Sequence, residues 1–412
     1  MTDIEIDGDR LLARLGEMAD TARHEGRSAG VTRLAWSPED IRARALLAEW
    51  ADGTGLTVTV DTVGNVVAER AGTDAGLAPI VFGSHLDTVV DGGTLDGAYG
   101  TVAAFDIVAG LAARGERLRH PVRAVAWVNE EGVVAPPFTG SRVVSGHPVD
   151  LGAIGADGRT LGERLCDAGG DPDGLADAAW PPIAAYLELH IEQGRVLHDA
   201  GIPIGVVTAI SGCRRGTVSV AGRADHAGAT PMHLRRDALV AAAPFVGTIA
   251  ALASDGLVDV ATVGSLVVEP GNGNVVPGRV TLTYDLRSTD DAACDDALGL
   301  LRIEATAVAA RTGTTVAVNL TSSSAAVATA EGVRSTIAEA ARGLRLTCTE
   351  LPSGAGHDAQ YLATLGPMGM IFVPSVDGIS HNPAESTSPA LLVAGARTLL
   401  DAVRLLDTRT DL

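Results

Sequence analysis

The chain changes rhythm in its middle. Residues 79 to 131 hold a short unbroken apolar run, PIVFGSH (79 to 85), a stretch with helical periodicity, GAYGTVAAFDIVAGLAARG (97 to 115), and a second apolar run, RAVAWVNEE (123 to 131). Strands apolar on both faces and joined by a helix mark a parallel βαβ unit. From 212 to 325 the order is instead strand (RRGTVSVAG), helix (RRDALVAAAPFVGTIAALA), strand (VATVGSLVVE), strand (GRVTLTYDLR), helix (DDALGLLRIEATAVAARTG) and strand (TTVAVNL). That βαββαβ order is the ferredoxin-like split unit. Apolar runs at PIAAYLELH (182 to 190) and MGMIFVP (368 to 374), and a closing helix from Ser388-Pro389, belong to the first rhythm. The simplest architecture is an α/β domain, a mixed sheet flanked by helices, made of residues 1 to 211 and 326 to 412. A smaller α+β domain, residues 212 to 325, is inserted in it. A length of 412 residues suits two cores.

Local signals refine this frame. Ser37-Pro-Glu-Asp40 reads as a capping box with Pro38 at the first helical position, opening a helix with Ile41, Ala45, Leu46 and Trp50 at helical spacing. Residues 56 to 69 read as two β-rich runs around a Gly-Asn turn. The Ala/Gly-rich stretch 152 to 180 reads as an irregular surface excursion. Composition excludes several classes of function. A net charge of −20 sets the whole field against nucleic acid and anionic membranes. No window is long and apolar enough to span a bilayer, and the acidic start lacks the basic and apolar regions of a signal peptide, so a cytoplasmic location is expected. Cys166, Cys213, Cys294 and Cys348 are scattered without a CxxC pair, which offers neither a disulfide framework nor a thiolate zinc site.

Four apolar runs end in, or lead into, residues able to bind a metal: His85, the pair Glu130-Glu131, His190 and His381. Ligands gather at the carboxyl ends of strands in open α/β sheets. A single strand-end histidine reads as a cap or core residue; the coincidence of four sites points to a metal. Asp87, two residues after His85, would point the same way in an extended segment, and its carboxylate could orient the imidazole. Asp96 lies in a Gly-rich loop and offers a short carboxylate able to bridge two ions. Adjacent Glu130 and Glu131 would repel if both were buried, unless a dication sits between them. One could then ligate while the other acts as general base toward water on the metal.

Eight ordered segments carry a resemblance: G-S-H-L-D-T-V (83 to 89), D-G-x-x-x-D-G (91 to 97), N-E-E-G (129 to 132), L-H-I-E-Q-G (189 to 194), His226-Ala-Gly-Ala-Thr-Pro-Met, G-N-x-V-P-G (273 to 278), G-A-G-H-D-A (354 to 359) and S-H-N-P-x-E (380 to 385). With GVTRLAWSPED near residue 30, the set resembles the amidase/carbamoylase branch of the M20 di-metal hydrolases. That branch contains N-carbamoyl-L-amino acid hydrolases, β-ureidopropionases and allantoate amidohydrolases. The resemblance implies a catalytic domain and an inserted lid and dimerisation domain. It implies two divalent ions per subunit, Zn, Mn, Co or Ni, with His85, Asp96 and His190 around one, Asp96, Glu131 and His381 around the other, and Glu130 as base. Glu188 and Glu192 share a strand face with His190 and rival it on spacing alone. Gln193, His226, Asn274, Arg287 and the backbone of Gly356 fall where the branch holds substrate, His226 also steadying the oxyanion. Arg287 suits a carboxylate, and read alone it would be a strand-end ion pair. His357 and His233 are read as structural, and His24, His120, His147 and His198 sit in no motif. One departure stands beside the glutamate pair: relatives continue Gly-Ser-Arg-Phe, whereas here Gly132-Val133-Val134-Ala135-Pro136-Pro137-Phe138 follows.

The resulting expectation is a metal-dependent hydrolase of linear amide C-N bonds, acting on a small ureido (N-carbamoyl) acid with a carboxylate and working as a homodimer through the inserted domain. The alternatives are an allantoate amidohydrolase, an M20-type exopeptidase and a non-catalytic two-domain small-molecule binding protein. Metal content separates the last from the others.

Overall fold

The computed structural model describes residues 6–23, 30–155 and 157–409; His24 lies outside them. The chain forms two compact units. The first takes the residues up to Thr208, Thr329–Leu351 and those from Gly356 on, and the second takes Ala209–Ala328 with Pro352–Ala355.

In the first unit a mixed sheet runs in the order Thr57–Val60, Val66–Arg70, Val122–Trp127, Ile80–His85, Ala185–Ile191, Met368–Val373, Ile204–Ile210. Its four central strands are parallel, so their carboxyl ends lie along one edge. The outer pairs are antiparallel. The unbroken apolar runs have the burial they require: every residue of Ile80–His85, Ala185–Ile191 and Met368–Val373 is buried. Packing on the sheet is close enough to demand glycine. A Cβ at Gly83 would lie 1.9 Å from the Val125 carbonyl oxygen, and one at Gly100, in the helix Ala98–Ala113, 2.0 Å from that of Leu189.

Two local expectations need correction. The helix predicted after Ser37 forms as Pro38–Ala51, and Ser37 Oγ accepts from the Asp40 N–H at 3.2 Å. The capping box is only half made, because Asp40 turns its carboxylate to the Trp36 N–H and to Arg44. That buried pair rotates the helix, so Ala43, Leu47 and Ala51 face inward while Ile41 is 44% exposed. The stretch 152 to 180 is not irregular throughout. Thr160 and Glu163 complete a capping box on the helix Leu161–Asp167, whose Leu161 and Leu165 enter a small core with Val128, Val134 and Val143.

The second unit has an antiparallel sheet in the order Leu266–Glu269, Arg279–Ser288, Gly212–Ala221, Thr315–Ser324. The single strand read in VATVGSLVVE is two short ones, Val260–Thr262 and Leu266–Glu269, both on Arg279–Ser288. Period-two alternation sorts the faces. Val218, Val220, Val280, Leu282 and Leu286 pack under the helices Ala238–Ser254 and Asp291–Thr312, while Thr281, Thr283, Asp285 and Arg287 stay partly exposed on the other side. No helix among the described residues is long and apolar enough to cross a membrane.

Candidate metal centre

The parallel edge of the first unit assembles the chemistry. His85 is the last residue of its strand, and the Glu130-Glu131 pair follows the strand Val122–Trp127 by three residues. His190 is the last residue but one of the inner strand Ala185–Ile191, and His381 lies on the loop after Met368–Val373. Asp96 joins them from the turn that opens the helix Ala98–Ala113. His85 and His190 are 1% exposed, Asp96 4% and Glu130 7%. Asp96 stands at the centre: its Oδ1 is 3.2 Å from His190 Nε2 and 3.5 Å from His85 Nε2, and its Oδ2 is 3.2 Å from His381 Nε2. His381 Nε2 is also 3.5 Å from Glu131 Oε1, and His85 Nε2 is 3.8 Å from Glu130 Oε2.

Both buried imidazoles have a fixed tautomer. His85 Nδ1 contacts the Asp87 carbonyl at 2.9 Å and His190 Nδ1 that of Ile191 at 2.9 Å. A carbonyl only accepts, so Nδ1 carries a proton, which leaves Nε2 as the nitrogen that can face the centre and, on losing its own proton, ligate a cation. The backbone carbonyl of Asp87, rather than its carboxylate, thus orients His85. The strand ends at His85, so the alternation that would aim both side chains alike does not extend to Asp87. Its carboxylate instead accepts the N–H groups of Glu130 (3.0 Å) and Glu131 (3.1 Å) and fixes the backbone of the glutamate pair. Gly97 is required by closeness: its φ is +62° and a Cβ would lie 2.3 Å from the His85 ring.

The donors fit divalent cations. His85, Asp96 and His190, and separately Asp96, Glu131 and His381, each bring ligand atoms within 4.8 Å of one another. Burial pushes Glu130 well above the usual carboxylate range, with Glu131 adding to it, and raises Glu131 to about 7, with Asp96 adding to it. Burial also opposes ionisation of Asp96, but hydrogen bonds from His190, His381 and His85 outweigh it and hold that carboxyl well below the usual range. Glu131 Oε1 is buried without a hydrogen-bond partner. A dication between these groups removes the repulsion and fills the orphaned acceptor's coordination.

Other candidates find other partners. Glu188, fully buried, accepts from Ser84 Oγ (2.9 Å), the Ala359 N–H (3.0 Å) and Tyr186 OH (3.3 Å), and its carboxylate also lies within 4.8 Å of ligand atoms of His190 and His357. Glu192 accepts the Val196 and Leu197 N–H groups at the start of a short helix. Gln193 donates from Nε2 to Asp96 Oδ2 at 2.8 Å, so here it orients that carboxylate. A Cβ at Gly356 would lie 2.9 Å from the Phe138 ring. In the second unit, exposed His226 takes the Gly228 and Ala229 N–H groups on Nδ1 at 3.0 and 3.1 Å, which places its proton on Nε2. Exposed Asn274 offers its carbonyl to the Ala227 N–H at 2.9 Å. Arg287 grips both oxygens of Asp285 at 3.0 Å, with Nη1 on the Gly354 carbonyl.

Residues 81–405 match the family described as Peptidase family M20/M25/M40. The chain belongs to that family. This M20 chain is 39% identical over 403 residues to the N-carbamoyl-L-amino acid amidohydrolase of Geobacillus stearothermophilus, covering 97% of this chain and 98% of that protein. It is 37% identical to the allantoate amidohydrolase of Escherichia coli, covering 90% and 92% respectively. The solved amidase of the hydantoinase/carbamoylase family from Burkholderia multivorans superposes with a TM-score of 0.90 at 39% identity, covering 98% of this chain and 99% of that one. His357, read as structural, packs its buried ring edge-on against His190, with centroids 4.8 Å apart. Sequence reasoning missed two residues around Asp96. Ser380 Oγ lies 2.9 Å from both Asp96 Oδ2 and Glu385 Oε2. Glu385 Oε1 accepts the N–H groups of Leu95 and Asp96 and so holds the loop that presents the central carboxylate. Ser380 and Glu385 belong to the S-H-N-P-x-E segment, which was the available signal.

Proposed function

We propose that this chain hydrolyses N-carbamoyl-L-amino acids to the amino acid, ammonia and carbon dioxide, using two divalent cations per chain. His85, Asp96 and His190 would hold one ion, and Asp96, Glu131 and His381 the other. The observation that carries this is the division of Asp96, with Oδ1 toward His85 and His190 and Oδ2 toward His381. When bound, the ions supply Lewis acidity that activates water and polarises the scissile carbonyl. Their identity among Zn, Mn, Co and Ni depends on geometry and availability, since imidazole and carboxylate suit all four.

The rest belongs to the protein's own groups. Glu130 is the general base and then acid: a buried carboxylate with a raised pKa takes a proton from water and returns it to the departing nitrogen. Asp87 keeps it aimed through the backbone N–H bonds. His226 offers Nε2–H to a developing oxyanion, a role that needs the neutral tautomer its two backbone donors select. Arg287 grips the substrate carboxylate with Asp285 fixing the plane of its fork, and Asn274, Gln193 and the Gly356 backbone are the further groups assigned to substrate. The second unit serves as lid and dimerisation domain, with His226 acting in the site of a second copy. Exposed Met232, Leu234 and Val240, which follow it in the sequence, suit contact with a partner.

Allantoate is the second reading, favoured by the likeness to the Escherichia coli allantoate amidohydrolase. The test is ammonia release from a panel of N-carbamoyl-L-amino acids, ureidopropionate and allantoate, with the metal varied. Turnover of carbamoyl amino acids above the others is expected. Preference for allantoate would select the second reading, and no release from any member would reject both.

A further inference from the structure

The segment Gly30 to Asp40 supplies none of the residues assigned so far, yet it contains one of the most deeply buried cations of the chain. Arg33 is 1% exposed. A guanidinium taken out of water needs acceptors for its N–H groups. Its Nε donates to the Leu86 carbonyl at 2.6 Å, and its Nη1 to the Met18 carbonyl (3.1 Å) and Thr21 Oγ1 (3.2 Å). Its backbone ties into the same segment: the Arg33 N–H donates to Thr88 Oγ1 at 2.9 Å, and the Thr88 N–H to the Arg33 carbonyl at 2.9 Å.

Leu86 is the residue between His85 and Asp87. Its neighbours on either side set the two halves of the centre, since the Asp87 carbonyl fixes the His85 tautomer and the Asp87 carboxylate holds the backbone of Glu130 and Glu131. A shift of the Leu86 peptide would move all of these together. The acceptors that bond Arg33 are neutral, and the carboxylates of Asp40 and Asp87 favour its charge through space against the cost of burial, so the guanidinium is tied to the 85–88 segment by both its hydrogen bonds and its charge. We infer that Arg33 is a positioning residue of the metal centre, gripping the Leu86 carbonyl so that His85 and, through Asp87, the Glu130-Glu131 pair are held in register for the cations. The inference rests on the two-ion reading proposed above.

Zinc affinity, measured by competition with a chelator, separates this from a structural role. Arg33→Lys keeps the charge and loses the planar fork. It should weaken zinc binding about 10-fold to 100-fold, the usual effect of removing a group that orients ligands. Arg44→Lys is the control: Arg44 is also buried and bonds the Gly64 carbonyl at 2.9 Å, away from the 85–88 segment. It should lower the melting temperature while leaving zinc affinity unchanged. Combining Arg33→Lys with Asp87→Asn should cost less than the sum of the two single losses, because both act along one path. If Arg33→Lys does not fold, Thr88→Val, which removes the hydroxyl joining Arg33 to the segment, should still weaken zinc binding without a matching loss after Arg44→Lys. Equal zinc affinity in Arg33→Lys and wild type, an equal loss in the Arg44→Lys control, full additivity with Asp87→Asn, or an unchanged Thr88→Val would each overturn the inference. Failure of the wild type itself to bind zinc would instead bring down the two-ion reading beneath it.

Discussion

His190 and His226 are both proposed to serve the reaction, and their surroundings are opposites. His190 lies near the end of an inner strand, is 1% exposed, and has one nitrogen tied to a carbonyl and the other aimed at a buried carboxylate. His226 sits exposed on a two-residue strand, and its side chain takes a pair of backbone donors on Nδ1. Ligands of a cation must be brought together against their mutual repulsion, and that takes a rigid, buried frame whose neighbours absorb the strain. The glutamate pair, the Asp87 carboxylate and the Glu385 clamp on the Asp96 loop are such a frame. A group that meets the substrate needs a defined tautomer and free access. The first unit therefore commits its polar residues to one another, and the second leaves His226 and Asn274 open to solvent.

If this contrast is right, damage in the first unit should remove cations and damage in the second should spare them. The largest effect is expected at Asp96. Asp96→Ala deletes the carboxylate common to both ligand sets, so metal content should fall to nothing and ammonia release to background. A variant that kept both ions would mean that Asp96 does not bridge. Next comes Glu130→Gln, which should slow turnover by about 10²-fold to 10⁴-fold, the worth of a positioned acid and base, with the fold intact by circular dichroism.

His226→Ala should lower kcat by about 10²-fold to 10³-fold, as for loss of one oxyanion donor, while metal content stays unchanged. The same variant tests the shared site. If the chain dimerises as proposed and inactive Glu130→Gln and His226→Ala chains are dissociated and re-formed together, about half the dimers are mixed, and each of these holds one intact site. Activity should then recover to roughly a quarter of wild type, far above either parent. Parental activity after chain exchange proven by mass would confine His226 to its own chain. The smallest effect is expected for Arg287→Lys, where losing a bidentate charged contact should raise KM for carboxylate substrates by about 10-fold to 100-fold, against little change for their amides. Equal losses on acid and amide would take Arg287 out of the substrate grip.

Much of the first unit was legible because buried parallel strands write themselves as unbroken apolar runs, and because each run led to a residue able to bind a metal. What stayed hidden depends on directions that spacing does not carry. Asp87 was expected to face His85 by strand alternation, but the strand stops at His85 and the carboxylate turns to the glutamate backbone. The inward face of Pro38–Ala51 was misjudged because Asp40 and Arg44, a charged pair, are buried there while Ile41 is exposed. The helix Gly8–Asp20 went unread although Leu11, Leu15 and Met18 have helical spacing behind an Asp7 cap. The three donors that meet Glu188 could not be read from spacing, and Arg33 showed only as part of the GVTRLAWSPED segment, since its acceptors are mainly backbone carbonyls.

The central claim is that two adjacent glutamates have different employment, Glu131 on a cation and Glu130 on a proton. Metal per chain, measured by elemental analysis on the wild type, Glu130→Gln and Glu131→Gln after identical loading with zinc, tests it most directly. Two zinc ions per chain are expected in the wild type, the same in Glu130→Gln despite its lost activity, and fewer in Glu131→Gln. Loss of zinc from Glu130→Gln with full retention in Glu131→Gln would reverse the two roles and contradict the account.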